Sequence, residues 1–281
     1  KIFSSLQKPL NTLRVTGGEP FFNESIEDFI IFIDKNKISK KVAITSHGMI
    51  PRLDERVKKL LDNLKNVHLH IGISFDGLSE THNEFRKIKN GFSLAIKHLR
   101  DFKKFSEKNK KFSFSTTTSL IRKICIDDGS KNSIELLQLL KFLSDDVKVP
   151  IMGFDHVRSV EDDVFNVPQD ILSDFGLPPM KNDNVNTKHT RANDVQLSVD
   201  EIFELNKKIK DSGYLKNDYL TMKRLEVEHD ILKNKNREID CLAGYIDCVI
   251  YPSLDVSVCE STKSFASLKK FDLNLLKLLN S

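Results

Sequence analysis

The chain alternates short β-favouring runs with amphipathic stretches of helical period, and that alternation narrows its fold to an α/β architecture with a parallel sheet. An apolar run ends at residue 15, and a helix bearing Ile26, Phe29, Ile30 and Ile33 follows, with Ser25 as its cap. Residues 41–45 read as a strand, 52–64 as a helix, 67–74 as a strand, 91–105 as a helix and 111–118 as a strand. A helix marked by Leu136, Leu137, Leu140 and Leu143 precedes a last strand near residues 147–154. Successive β/α units of this kind require right-handed crossovers between parallel strands. In VHLHIGIS the residues Val67, Leu69, Ile71 and Ile73 share one face, and His68, His70, Gly72 and Ser74 share the other. KFSFSTTT repeats the pattern, with Phe112 and Phe114 opposed to Ser113, Ser115 and Thr117. A flat doubly wound sheet wants apolar residues on both faces, whereas a curved sheet with helices outside and a cavity inside wants this split. Two edge strands, each with one wet face, would show the same alternation.

Composition bounds the partners. Lys and Arg number 44 against 40 acids, a net charge of +4 with no basic block interleaved with aromatics, so no nucleic-acid partner is expected. No apolar run reaches membrane-spanning length, and no membrane partner is expected. Of four cysteines, Cys125 reads as a buried inert thiol, while Cys241, Cys248 and Cys259 cluster near the C-terminus as a metal site, a redox pair or buried thiols.

The stretch LRVTGGEPFF ends a strand in two glycines, an acid and a proline. Gly17 and Gly18 can take dihedrals forbidden to other residues, Pro20 fixes the exit from the turn, and Glu19 is held as an acceptor for a cationic group. TGGEP on a strand end resembles the motif after the second strand of radical S-adenosylmethionine (SAM) enzymes. ITSHG, residues 44–48, stands where that family has Thr-Asn-Gly, with Gly48 matching and Ser46 and His47 replacing the other two. ISFDG, residues 73–77, matches the fourth-strand pattern through Ser74, Asp76 and Gly77. HNEFRKIKNGF resembles the family's His-Asp-x-x-Arg segment and Gly-Phe helix start, through His82 and Arg86. Taken alone, His82 reads as a turn residue and Arg86 as a solvated loop cation. The resemblance covers residues 13–158.

It implies a partial (β/α)6 TIM-like barrel lacking its first strand, with strand C-terminal ends facing the site. The family's CxxxCxxC loop, which binds a [4Fe-4S] cluster, occurs nowhere in this sequence and is expected upstream of Lys1. The implied reaction is reductive cleavage of SAM to a 5'-deoxyadenosyl radical that abstracts hydrogen from a peptide or protein. A small metabolite, or a cluster-free binding role, is the alternative. Gly17, Gly18, Glu19 and Pro20 would hold the methionine amino end. Ser74 and Arg86 would meet its carboxylate or the ribose, and Ser46, Gly48 and Asp76 would complete the cofactor site. A flavodoxin or ferredoxin electron donor and a cytoplasmic location go with that reading.

Beyond the barrel, residues 159–196 read as a long loop containing LPPM, Ser198 and Glu201 form a capping box, and residues 218–235 read as a charged helix. The segment CLAGYIDCVIYPSLDVSVCE resembles the SPASM or twitch extension that holds auxiliary iron-sulfur clusters. A hairpin with Ser253 and Leu254 at its tip would set Cys248 opposite Cys259, with Cys241 joining them at one auxiliary centre and zinc as the rival metal. The expected organisation is residues 1–158 as barrel, 159–238 as connector, and 239–281 as a cysteine-bearing unit.

Overall fold

The structure, a computed structural model, describes residues 2–4, 6–126, 134–156, 197–215, 221, 223–227, 247–258 and 264–275. Contacts divide the chain into two compact units, Pro9–Val157 with Ala192–Asn236, and Lys1–Lys8 with Arg158–Arg191 and Arg237–Ser281.

In the larger unit five parallel strands lie in chain order: β1 (Leu13–Val15), β2 (Lys41–Ser46), β3 (His68–Phe75), β4 (Phe112–Leu120) and β5 (Met152–His156). The helices between them are α1 (Ile26–Lys35), α2 (Leu53–Asn63), α3 (Ser79–Arg86), α4 (Gly91–Lys108), the short α5 (Arg122–Cys125), and α6 (Glu135–Phe142), which runs into a π-helical turn over Leu143–Val147. Every strand has its sequence neighbour beside it, the order a progressively curling β/α barrel requires. The helices bury their periodic residues, Ile26, Ile30 and Ile33 on α1, Leu53, Val57, Leu60 and Leu61 on α2, and Phe92, Ala95, Ile96, Leu99 and Phe102 on α4. Against them the sheet presents Val42, Ile44, Leu69, Ile71, Ile73, Phe112 and Phe114, all buried. The opposite, inner face carries half-buried His68, His70, Ser74, Ser113 and Thr117. The split expected from strand alternation is therefore the one the fold uses.

A carboxylate pins the strand N-terminal side. Asp34, at the end of α1, accepts backbone N–H groups from Lys65, Asn66 and Val67 at 2.6–3.2 Å. Burial by itself would raise its pKa, but these donors outweigh that and hold it below the usual value.

Three local expectations change. Ser25 precedes α1, yet its side chain makes no capping bond; Asn23 Oδ1 accepts from Ser25 N instead. His82 and Arg86 lie on α3 rather than in a turn and loop, and His82 is fully buried. The cause is local: Thr81 and His82 face inward, and α3 ends at Lys87, which takes a left-handed backbone. The capping box forms as expected on α7 (Val199–Ser212), with Ser198 and Glu201 exchanging hydrogen bonds. Of the charged helix expected over 218–235, residues 221 and 223–227 are described, and they are helical. The segment 159–196 lies outside the described residues.

The smaller unit holds an antiparallel sheet of β6 (Val249–Ile250), β7 (Asp255–Ser257) and β8 (Ala266–Ser267) around Val256, Leu268 and Leu275, with Ile2 and Phe3 packed on them. Its hairpin corrects the expected register. Val249 faces Ser257 and Ile250 faces Val256, so a three-residue loop closes it, with Leu254 at φ 71° and its N–H bonded to Tyr251 O. A two-residue tip needs Gly or Asn chemistry that Ser253 and Leu254 lack, and a turn followed by one left-handed residue is the next solution. This register is one residue off the one expected to set Cys248 opposite Cys259. Cys241 and Cys259 lie outside the described residues, and with them the expected auxiliary centre.

Candidate functional site

At the C-terminal ends of β1 and β2 the chain opens twice on glycines. Gly17 and Gly18 have φ of 96° and 50°, and a Cβ at either would meet nothing within 4 Å. Gly48 (φ 70°) differs, since a Cβ there would come within 2.7 Å of Ile73 Cγ2. The first pair therefore keeps backbone open to a ligand, and Gly48 lets β2 turn tightly over β3.

Glu19 joins the two turns. Its Oε1 accepts from Phe21 N at 3.1 Å and from Ser46 Oγ at 2.9 Å, and its Oε2 accepts from His47 N at 2.8 Å. Ser46 Oγ in turn accepts from Gly48 N at 3.0 Å. Pro20, buried, starts a single 3-10 turn over Pro20–Phe22 that turns the Glu19 carboxylate back toward β2. His47 Nδ1 accepts from Met49 N at 2.9 Å, which leaves the ring proton on Nε2, 3.4 Å from Glu19 Oε2. Burial holds the His47 pKa below its ordinary value; Glu19 opposes the shift and Arg86 adds to it.

At the end of β3, Asp76 is fully buried. Its Oδ2 receives Arg86 Nε at 2.5 Å, and Oδ1 has no hydrogen-bond partner among the described residues. Asp76 N donates to His82 Nδ1 at 3.2 Å, so the proton of that neutral ring sits on Nε2. Asp76 thus aims Arg86, whose side chain is 28% exposed and whose outer guanidinium edge makes no bond among the described residues. Ser74 lies on the inner face beside Thr117.

Of the residues singled out in the sequence, Gly17, Gly18, Glu19, Pro20, Ser46 and Gly48 meet at two adjacent strand ends, and Asp76 and Arg86 are paired at the third. Cys248 is partly buried in the smaller unit, and no group of three His, Cys, Asp or Glu suited to a metal occurs among the described residues. Burial pushes the Cys125 thiol up to about 12, as befits an inert core cysteine.

Two supports escaped sequence reasoning. His98 Nδ1 donates to Gly48 O at 2.8 Å from inside α4, and Glu135, buried at the start of α6, accepts from Leu78 N at 2.8 Å and Thr81 Oγ1 at 3.0 Å. A polar residue on the apolar face of α4 was the available signal for His98, and nothing in the spacing marks Glu135.

No family model matches the chain. Two curated relatives, the GTP 3',8-cyclases of Clostridium perfringens strain SM101 / Type A and strain 13 / Type A, are each 32% identical over 126 residues, 44% of this chain and 34% of theirs. The chain thus spans about a third of the length of the curated relatives it matches. Among solved structures, anSMEcpe with bound AdoMet and the Cp18Cys peptide superposes with a TM-score of 0.53 at 13% identity, over 90% of this chain and 62% of that one. Polyhistidine-tagged anSMEcpe with bound AdoMet gives 0.54 at 13% identity, over 90% and 58%. The β/α core of this chain thus has the fold of those AdoMet-bound structures, and its strand-end motifs resemble those of radical SAM enzymes.

Proposed function

We propose that this chain is the SAM-binding core of an enzyme that modifies a peptide or protein by hydrogen abstraction. The observation that carries the reading is the Glu19 knot, in which one carboxylate gathers the turns after β1 and β2 beneath two uncovered glycines. Those features fit the cofactor: the open backbone at Gly17 and Gly18 suits the methionine amino end, with Glu19 beneath it. The Asp76-held edge of Arg86 suits a carboxylate, and Ser74, Ser46 and Gly48 would line the rim. When bound, SAM cleaved reductively at a [4Fe-4S] cluster supplies a 5'-deoxyadenosyl radical. The residues present do not fit that cluster, because the chain has no CxxxCxxC, and its ligands belong upstream on this reading. Cys241, Cys248 and Cys259 stand as the proposed auxiliary-cluster ligands on their clustering in sequence. A flavodoxin- or ferredoxin-type electron donor and a cytoplasmic setting belong to the same proposal. No helix among the described residues is long and apolar enough to cross a membrane.

Peptide complexes of anSMEcpe favour a peptide substrate. The identity to GTP 3',8-cyclases favours a second reading, a small metabolite on the same inner face.

Titration of the intact, anaerobically prepared protein with SAM tests the site. Charge-assisted hydrogen bonds contribute about 1.5–3 kcal/mol, so Arg86→Gln is expected to weaken SAM binding by roughly 10- to 100-fold. Glu19→Ala is expected to do as much, partly by untying the two turns. Affinity unchanged in both variants would remove this site from SAM binding.

A further inference from the structure

On the inner face, away from the Glu19 knot, two histidines two residues apart on β3 face two serines two residues apart on β4. His70 is in register with Ser113, and Gly72 with Ser115. Ser113 Oγ lies 2.7 Å from His68 Nε2 and 2.8 Å from His70 Nδ1, and Ser115 Oγ lies 3.0 Å from His70 Nε2. The result is an unbroken line of four exchangeable groups.

The single proton of Ser113 makes the line directional. Donating to His68, Ser113 must accept from His70 Nδ1–H, which leaves His70 Nε2 bare to accept from Ser115. Donating to His70, Ser113 must accept from His68 Nε2–H, and His70 Nε2–H then donates to Ser115. The two arrangements differ by one proton shifted at each link, with every group neutral in both. Burial, with Lys41, His68 and Arg14 adding to it, lowers the His70 pKa to about 4, so the ring passes a proton without holding it. Gly72 contributes no side chain over the Ser115 end; a Cβ there would already stand 3.3 Å from Ser115 Oγ. The His68 end is half-buried, and its Nδ1 has no partner among the described residues.

We infer that His68, Ser113, His70 and Ser115 form a proton relay that takes a proton from a substrate O–H, N–H or S–H group at Ser115 and releases one at His68. The balance is simple. The substrate proton goes to Ser115 Oγ as the Ser115 proton passes to His70 Nε2. The His70 Nδ1 proton passes to Ser113 Oγ, the Ser113 proton passes to His68 Nε2, and the His68 Nδ1 proton leaves to water. No electron moves. The inference rests on the proposed function in one respect, that substrate occupies this inner face.

Nitrogen-15 NMR of the histidine-labelled full chain tests the wiring without cofactor. In a connected line the Nδ1–H and Nε2–H populations of His70 change at least twofold on His68→Phe or His68→Gln, and neither substitution has an effect once Ser113→Ala has cut the line. Populations indifferent to position 68 in both variants, with amide spectra showing a folded chain, would overturn the relay. In the intact enzyme with substrate, Ser113→Ala is expected to lower kcat about tenfold and enlarge the solvent isotope effect with SAM affinity unchanged, and Ser113→Thr to restore both. A kcat and isotope effect unmoved by Ser113→Ala would overturn its catalytic use. An enzyme that fails to bind SAM would sink the proposed function while the NMR result stood separately.

Discussion

Single buried groups make this core sensitive to acid. His82 is fully buried, and burial, opposed by Asp76 and reinforced by Arg86 and His47, lowers its pKa from 6.5 to about 4. Between those values the unfolded chain binds a proton that the folded chain refuses. Stability therefore falls as pH drops from about 6.5 to 4, with His82 contributing up to about 3 kcal/mol of the loss. His82→Gln keeps an acceptor for Asp76 N and is expected to flatten that slope in denaturant titrations run across the range. A slope equal to that of the unaltered chain would mean His82 titrates normally. At this scale the sequence is legible where backbone demands dictate the residue type, as at Gly17, Gly18, Glu19 and Gly48. It is not legible where a distant side chain satisfies a buried group. His82 reads as a turn residue because its partner, the Asp76 N–H, belongs to the preceding strand end. Glu135 carries no local sign that it will cap the Leu78 turn across 57 residues.

At the scale of elements, period decides what is readable. Alternation on β3 and β4 and the 3.6-residue pattern on α1, α2 and α4 each name one buried face, so strands, helices and sidedness follow directly. The hairpin differs by one residue from its expected register because its apolar runs fit either, and the loop conformation at Leu254 decides the matter. The three glycines of the strand ends separate strain from crowding in a measurable way. Gly18→Ala adds a methyl group to open space and suffers only the left-handed backbone cost, about 1–2 kcal/mol. Gly48→Ala bears the same cost and drives its methyl into Ile73, for a total loss of roughly 3 kcal/mol or more. On the proposed function, Gly18→Ala is also expected to weaken SAM binding, because its methyl would enter the open space proposed for the ligand. Chemical denaturation of the two variants gives the comparison, and equal losses of stability would contradict the packing shown at Gly48.

The whole larger unit joins segments far apart in sequence, and one ion pair shows how α7 belongs to it. Arg122, on the short helix after β4, donates through Nη1 to Glu201 Oε2 at 2.6 Å and through Nη2 to Oε1, across 79 residues. Glu201 is also the third residue of α7 and accepts from Ser198 N in the capping box, so one carboxylate serves both the helix start and the contact with the barrel. Both side chains remain partly exposed, at 39% and 25%, which limits the pair to the upper end of surface salt bridges, about 1 kcal/mol. Ile202, Leu205 and Ile209 are buried and carry the rest of the α7 packing. A double-mutant cycle with Arg122→Gln and Glu201→Gln isolates the pair from the cap, because the cap contribution cancels between the arms of the cycle. The coupling is expected to be about 1 kcal/mol at low salt and to shrink at high ionic strength. A coupling of zero at low salt would mean that α7 is held by its apolar face alone.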